Sequence, residues 1–339
     1  MKILKNISLK LYNTFGIDVN AAEYAEVADV VSLKGLIMAG RLKDANYLIL
    51  GGGSNVLFTG DYDGLVIRNM IVGIRMKEVD DSNVLVTAGA GVVWDDLVHY
   101  CIEHDLGGIE NLISIPGSVG AGPIQNIGAY GVELKDTFHS LDAIEIATGE
   151  LRTFYKEECE FGYRDSIFKR EQKGKFIIVS VSLLLKSKSK PDISYGAISE
   201  ELIKMGIHDG PAIGDVGKAI FSIRQRKLPD PENIGNAGSF FKNPLIEEKM
   251  YFEIRKRYPD MPSYKGEPGM VKVPAGWMIE QCGWKGKRHG SAGVHDKQAL
   301  VLINTGNASG KEVLELAGQI MDSVNDRFGI SLEMEVNVI

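Results

Sequence analysis

"YLILGGGSNVLF", residues 47–58, decides how the fold is read. Tyr47 to Leu50 is a strand-length apolar run; three glycines break it, and Val56 to Phe58 resumes it. Such a run, broken by glycine, is a strand ending in a turn where backbone can approach closely, because no Cβ stands in the way. Working outward, "LVIR" (65–68) and "VLVTAGAG" (84–91) read as further strands. Between Val92 and His104, the residues Val93, Leu97, Val98, Cys101 and Ile102 recur at helical spacing. "LDAIEIATGELRTF" (141–154) is a hairpin turning at Thr148-Gly149, and "FIIVSVSLLL" (176–185) a buried strand.

After "KSKSKPD" (186–192), a polar surface loop, the texture changes. Residues 215–225 and 246–257 read as helices, and "ALVLIN" (299–304) as a strand. Ser309 and Glu312 have the spacing of a capping box for a long helix ending near Phe328. In "SLEMEVNVI" (331–339), Leu332, Met334, Val336 and Val338 share one face, and Ser331, Glu333, Glu335 and Asn337 the other. Strands and helices mix without a regular βαβ rhythm and without an internal repeat, so the class is α+β.

At 339 residues the chain exceeds one ordinary core and calls for two or three domains. Lys and Arg number 38 against 45 Asp and Glu, and this net charge of −7 argues against a general nucleic-acid binder. Three dispersed cysteines, Cys101, Cys159 and Cys282, fit reduced thiols in a cytoplasmic protein. The opening "MKILKNISLKLYNTFG" has no apolar signal-peptide core. The charge-free run from Asn111 to Val132 is too rich in glycine and proline for a membrane helix, so no membrane insertion is expected.

Two glycine-rich stretches carry candidate chemistry: "GGGSN" (51–55) and "IPGSVGAGPIQNIGAYG" (115–131). Neither fits Gly-x-Gly-x-x-Gly, and no Gly-Lys pair is followed by Ser or Thr, which excludes a Walker-type phosphate loop. Two readings stand side by side. Backbone N–H groups of such loops bind a pyrophosphate without any cation, or the glycines are turns of a glycine-rich sheet. His99, Cys101 and His104 do not share a helix face, and His289 and His295 lack a third partner, so no metal site is expected. In "FGYRDSIFK" (161–169), Arg164 is either a surface partner of Asp165 or a desolvated carboxylate clamp. Glu335 is by default a solvated side chain of its strand. In "GNAGSFFKNP" (235–244), Ser239 is either a turn residue or a hydroxyl held against something large.

Taken together and in order, "NTFGI", "GGGSNVLF", "PIQNIGAYG", "FGYRDSIFK", "KLPDP", "GNAGSFFKNP" and "LEMEV" resemble the UDP-N-acetylenolpyruvoylglucosamine reductases, in the subclass with a tyrosine-bearing substrate loop. The resemblance runs from about Asn13 to Val336. It implies a two-subdomain FAD-binding module of the vanillyl-alcohol-oxidase (PCMH) type plus a C-terminal α+β substrate domain. The expected divisions are 1–72, 73–227 and 228–328, with the strand 329–339 returning to the second subdomain. It also implies non-covalent FAD, since neither glycine loop has a His or Cys tether, and NADPH as hydride donor to UDP-N-acetylglucosamine enolpyruvate. Both substrates use one cleft in turn, and a monomer is the default.

The resemblance assigns residues as well. Ser239 matches the proton donor, and Arg164 and Glu335 match the residues that stabilise the intermediate. FAD contacts are expected from Gly51, Gly52, Gly53, Ser54 and Asn55 in the first loop. In the second they are expected from Pro116, Gly117, Gly120, Gln125, Asn126, Gly128 and Tyr130. Tyr195, Arg224, Lys227, Asn243 and Gln298 match substrate positions. Lys227 or Lys242 would stabilise the alkoxide of Ser239, and Phe240 and Phe241 would exclude water. Many members have proline between the two last glutamates, where this chain has Met334. A different flavin enzyme, such as an oxidase, or a UDP-sugar binder without catalysis are the alternatives left open.

Overall fold

The computed structural model describes residues 2–43 and 46–339. Two compact units result. Unit 1 comprises Met1–Ile7, Ala21–Gly52 and Asp63–Arg226; unit 2 comprises Ser8–Asn20, Gly53–Tyr62 and Lys227–Ile339.

Unit 1 is built on two sheets. The first orders the strands Ile3–Ser8, Asn20–Val27, Tyr62–Asn69 and Tyr47–Leu50, the last two parallel. Helix α1 (Val30–Met38) starts at Asp29, whose carboxylate accepts the Ser32 N–H as an N-cap. It buries Leu33 and Leu36 among Val27, Leu65 and Ile67. The second sheet is antiparallel and orders Leu151–Tyr155, Phe138–Glu145, Phe176–Ser187, Asn83–Gly89 and Ile74–Glu78. Helices α2 (Trp94–Glu103), α3 (Leu134–Thr137), α4 (Gly196–Lys204) and α5 (Ile213–Lys227) contribute to its core. Leu97, Val98 and Cys101 of α2 enter that core as the helical spacing requires. The hairpin about Thr148-Gly149 forms, with Leu141 opposite Phe154.

Unit 2 pairs Gly235–Ser239, Val301–Asn304, Ala292–Val294 and Arg288–His289 in one sheet. A smaller sheet pairs Leu245–Glu247, Met270–Lys272 and Tyr264–Lys265. Helices α6 (Glu248–Arg257), α7 (Ala275–Gln281) and α8 (Gly310–Phe328) complete it. The α8 capping box forms between Ser309 and Glu312, and Gly329 closes the helix in the left-handed conformation (φ 69°).

Three expectations of secondary structure are corrected. The strand from Phe176 runs on to Ser187, into the segment read as a polar loop, and Leu245–Glu247 is a strand before α6. The last nine residues are not one strand. Asn337–Val338 pairs in parallel with Val56–Leu57, and Met334 bridges to Phe241. Alternation shows that a segment has two faces; it carries no information on which edge the segment will join.

Candidate active site

In unit 1 the two glycine stretches meet. A Cβ on Gly51 would stand 2.1 Å from Ser118 Oγ, and one on Gly52 would stand 2.9 Å from Gly117 Cα. Gly120 is pressed on Ala90 in the same way, with 2.5 Å from its virtual Cβ to the Ala90 Cβ. Glycine is therefore a packing requirement here, and the result is a backbone cradle in which neither stretch has a Lys or Arg of its own and the N–H groups of Val119, Gly120 and Ala121 are already bonded within the protein. That donor chemistry fits the pyrophosphate of a dinucleotide cofactor. Gly53 has φ 63°, and its Cβ would strike the Tyr12 carbonyl, within unit 2. Pro116, Gln125 and Ser54 lie in the same two stretches and all have polar or ring partners.

Asn126, expected at the cofactor, has a side chain that is hydrogen-bonded within the protein. It is fully buried with φ 46°; its amide donates to Glu133 Oε2 (3.0 Å) and Gly162 O (2.9 Å), and its Oδ1 accepts the Lys135 N–H (3.0 Å). The side chain is committed to shaping the loop, leaving only its backbone for a ligand. The loop then holds Arg164. The guanidinium donates to Asn126 O (3.5 Å) and Gly128 O (2.5 Å), on a residue with φ 54°. A Cβ on Gly128 would stand 2.9 Å from the Val132 carbonyl oxygen, a backbone contact that favours glycine, and 3.1 Å from Arg164 Nη1. Asp165 pairs with Arg170.

Tyr130, also left-handed at φ 50°, hydrogen-bonds Arg224, which donates to the Ser114 carbonyl (2.9 Å). Burial raises the Tyr130 pKa, and the Arg224 charge opposes it. Burial lowers the Arg224 pKa, against the pull of Tyr130 and Asp95, yet a guanidinium stays charged. Tyr195 is the N-cap residue of α4 and stands edge-on to Tyr130, ring centroids 5.4 Å apart. The neighbouring Asn111, missed from sequence, ties Tyr130 O to Asp192 O through one amide (3.1 Å each).

In unit 2 a bulge explains "GNAGSFFKNP". Gly238 has φ 68°, its N–H is taken by Asn236 Oδ1 (2.9 Å), and the strand register shifts between Asn236 and Ser239. The bulge leaves Ser239 exposed while both Phe240 and Phe241 are buried. Glu335 is delivered beside it: its N–H donates to Phe240 O (2.8 Å), and the Lys242 N–H donates to Glu333 O (2.9 Å). Phe241 and Met334 are thus the pair without mutual hydrogen bonds, so a proline at 334 would cost no ladder bond. Glu335 is half-buried, not a freely solvated strand residue.

Asn55, expected at the cofactor, straps this segment down: its amide donates to Glu335 O (3.2 Å) and its carbonyl accepts from Asn337 (3.1 Å). The Lys242 ammonium is engaged by Glu333 (3.0 Å). Lys227, the last residue of α5, is exposed. Asn243 Oδ1 accepts the Ala275 N–H (2.9 Å) at the start of α7, and Gln298 Oε1 accepts the Leu300 N–H (3.3 Å) in the turn before Val301–Asn304. Among the described residues no group of His, Cys, Asp and Glu is placed to hold a metal, and no helix is long and apolar enough to cross a membrane.

Comparison with known proteins first gives the class. Residues 21–155 match the FAD binding domain family, and residues 230–339 match the C-terminal domain of UDP-N-acetylenolpyruvoylglucosamine reductase. The UDP-N-acetylenolpyruvoylglucosamine reductase of Flavobacterium johnsoniae is 50% identical over 340 residues, covering 100% of both chains. That of Pseudomonas savastanoi pv. phaseolicola is 47% identical, covering 100% of this chain and 99% of the relative. The crystal structure of the Thermus caldophilus UDP-N-acetylenolpyruvylglucosamine reductase superposes with a TM-score of 0.69 at 26% identity, covering 100% of this chain and 99% of that one. The chain belongs to the UDP-N-acetylenolpyruvoylglucosamine reductase family. It is an α+β flavoprotein oxidoreductase with FAD as its cofactor.

Proposed function

We propose that this protein reduces UDP-N-acetylglucosamine enolpyruvate to UDP-N-acetylmuramate at the expense of NADPH, in peptidoglycan precursor synthesis. The observation that carries the residue-level reading is the Glu335 N–H to Phe240 O bond, which brings Glu335 beside Ser239 from the far end of the chain. When bound, FAD supplies a two-electron carrier that takes hydride from NADPH and delivers it to the enolpyruvyl group. The paired glycine loops of unit 1 hold it by backbone, without covalent attachment.

Hydride adds at the terminal carbon of the enol ether, so negative charge develops on the neighbouring carbon and spreads into the carboxylate. Arg164 meets that charge. Its guanidinium is fixed beforehand by the Asn126 and Gly128 carbonyls, so little reorganisation is needed as charge appears. Ser239 then gives the proton that completes the saturated product. A serine hydroxyl is a weak acid, but a carbanion-like enolate is a strong enough base to take its proton. Glu335 assists in its protonated form, or by orienting another donor, because an ionised carboxylate would oppose the developing charge. Lys227, or Lys242 beside its partner Glu333, stabilises the serine alkoxide. Tyr195, Arg224, Lys227, Asn243 and Gln298 bind the UDP-sugar. The enzyme acts in the cytoplasm as a monomer, the two substrates using one cleft in turn.

The test is colour. A yellow preparation that NADPH bleaches anaerobically, and that the enolpyruvyl substrate recolours, meets the expectation. Recolouring by oxygen alone at a comparable rate would mark an oxidase, and a colourless protein that binds the UDP-sugar would mark a binder.

A further inference from the structure

Glu201 is an acid in an unusual place. It lies in α4 between the core residues Ile198 and Leu202 and is only 4% exposed. Its hydrogen bonds all come from α5: Oε1 accepts Ser222 Oγ (2.9 Å) and Arg226 Nη1 (2.7 Å), and Oε2 accepts Arg226 Nη2 (2.5 Å), while Lys204 of α4 is a more distant ionic partner at 3.8 Å. Arg226 Nη1 also donates to Ser222 Oγ (2.9 Å), so carboxylate, hydroxyl and guanidinium close a ring. Glu201 is buried while the Arg226 side chain is 53% exposed, so what the pair adds is less stability than one defined geometry for the two helices.

That geometry bears on three proposed substrate residues. On α5, Ser222 and Arg226 are four residues apart and share a face; Arg224, between them, points to the other side. Pinning Ser222 and Arg226 to Glu201 fixes the rotation of α5, which aims Arg224 at Ser114 O and Tyr130. Lys227 follows directly at the end of the helix. On α4, the first turn is bound to Tyr195: the Ile198 N–H donates to Tyr195 O (2.8 Å), and Ser199 Oγ donates to Ile193 O (2.9 Å). Glu201 is one turn further on.

We propose that Glu201 is a positioning residue for substrate binding: by locking α4 to α5 through Arg226 and Ser222, it presents Tyr195 and Arg224 as one unit to the UDP-sugar. The inference rests on the reading that Tyr195 contacts substrate.

The experiment is a double-mutant cycle on the holoenzyme, with Glu201→Ala, Glu201→Gln and Tyr195→Phe. FAD content is expected to stay at wild-type level in all of them, and the rate of flavin bleaching by NADPH to stay so in the single Glu201 variants. Glu201→Ala raises KM for the enolpyruvyl substrate about tenfold, equivalent to about 1.4 kcal/mol; Glu201→Gln, which still accepts from Arg226, recovers part of it. In the Tyr195→Phe background the Glu201→Ala penalty shrinks but does not vanish, because the tyrosine hydroxyl is already gone while Arg224 is still displaced. Equal penalties in both backgrounds, or loss of FAD and of bleaching along with KM, would make Glu201 a plain structural residue and overturn the proposal. An unchanged KM in Glu201→Ala overturns it too. Tyr195→Phe alone with unchanged KM removes Tyr195 from the substrate and refutes the underlying reading. If Glu201→Ala were too unstable to purify, Glu201→Gln and its Tyr195→Phe double variant decide by the same criterion.

Discussion

The backbone N–H of Glu335 donates to the carbonyl of Phe240 at 2.8 Å, one rung from Ser239. Two residues that nothing local connects are placed together by a bridge of a few residues, Phe240–Lys242 against Glu333–Glu335, with Asn55 holding the far side. Ser239→Ala leaves this bridge intact, since the Gly238 bulge and the two buried phenylalanines make the local shape. FAD should be retained, and NADPH should bleach it at near the normal rate. Reoxidation by the enolpyruvyl substrate should fall by about 10²–10⁴-fold, the usual worth of a general acid. Ser239→Cys should recover part of it. Stopped-flow absorbance in the two half-reactions decides; turnover of the alanine variant within a few-fold of wild type would leave Ser239 a turn residue.

Arg164 is held by two carbonyls of the glycine loop. Lysine keeps the charge but lacks the fork. Arg164→Lys should slow reoxidation by substrate roughly 10²–10³-fold, in the range for loss of one preorganised donor, and leave bleaching by NADPH little changed. Equal slowing of both half-reactions would point to damage in the 126–128 loop.

Gly52 tests the cradle. Its virtual Cβ lies 2.9 Å from Gly117 Cα, a contact between two backbones that no rotamer can relieve. Gly52→Ala should separate the two loops and lower FAD content and affinity while far-UV circular dichroism stays native. In the wild type, denaturation should release FAD into the supernatant, because Cys101 and Cys159 are buried in the core and neither glycine loop has a tethering side chain. Flavin that precipitates with the chain would refute non-covalent binding.

The Glu201 pair has a pH signature. Its hydrogen bonds from Arg226, aided by Ser222 and opposed by burial, lower the carboxyl pKa from 4.5 to about 2. The folded pKa lies below the unfolded one, so the contribution to stability is full above the unfolded value and is lost as pH falls through the folded value. Denaturant unfolding should show wild type more stable than Glu201→Gln at neutral pH, with the gap closing between about pH 4.5 and pH 2. A gap independent of pH over that window would show that the charge contributes nothing.

Several features were legible because their causes lie within a few residues. The α8 capping box needs only Ser309 and Glu312; the helical stripe of α2 and the hairpin at Thr148-Gly149 need only spacing. Glycines at 51–53 and 235–238 announce close backbone approach wherever they fall. The order of motifs, taken as a whole, was enough for the family, as the relatives at 50% and 47% identity over the full chain show.

Partner choice was not legible. The alternation in "SLEMEVNVI" determines two faces, yet several strand edges could satisfy it, and only the folded chain selects Phe241 and Val56–Leu57. Asp165 beside Arg164 looked like its partner; in the folded chain the left-handed turn at Arg164 sends the guanidinium to Gly128, and Asp165 pairs with Arg170. Asn55 and Asn126, expected at the cofactor, also hold Glu335 and the second glycine loop, which their positions in sequence did not announce. Glu201, a charge inside an amphipathic helix, reads as a surface residue until α5 places Arg226 against it. Propensity, capping and periodicity are short-range and are determined by the sequence alone. Which distant polar group satisfies which is settled by burial of the whole chain, because an unpaired group is costly only once water has been excluded from it.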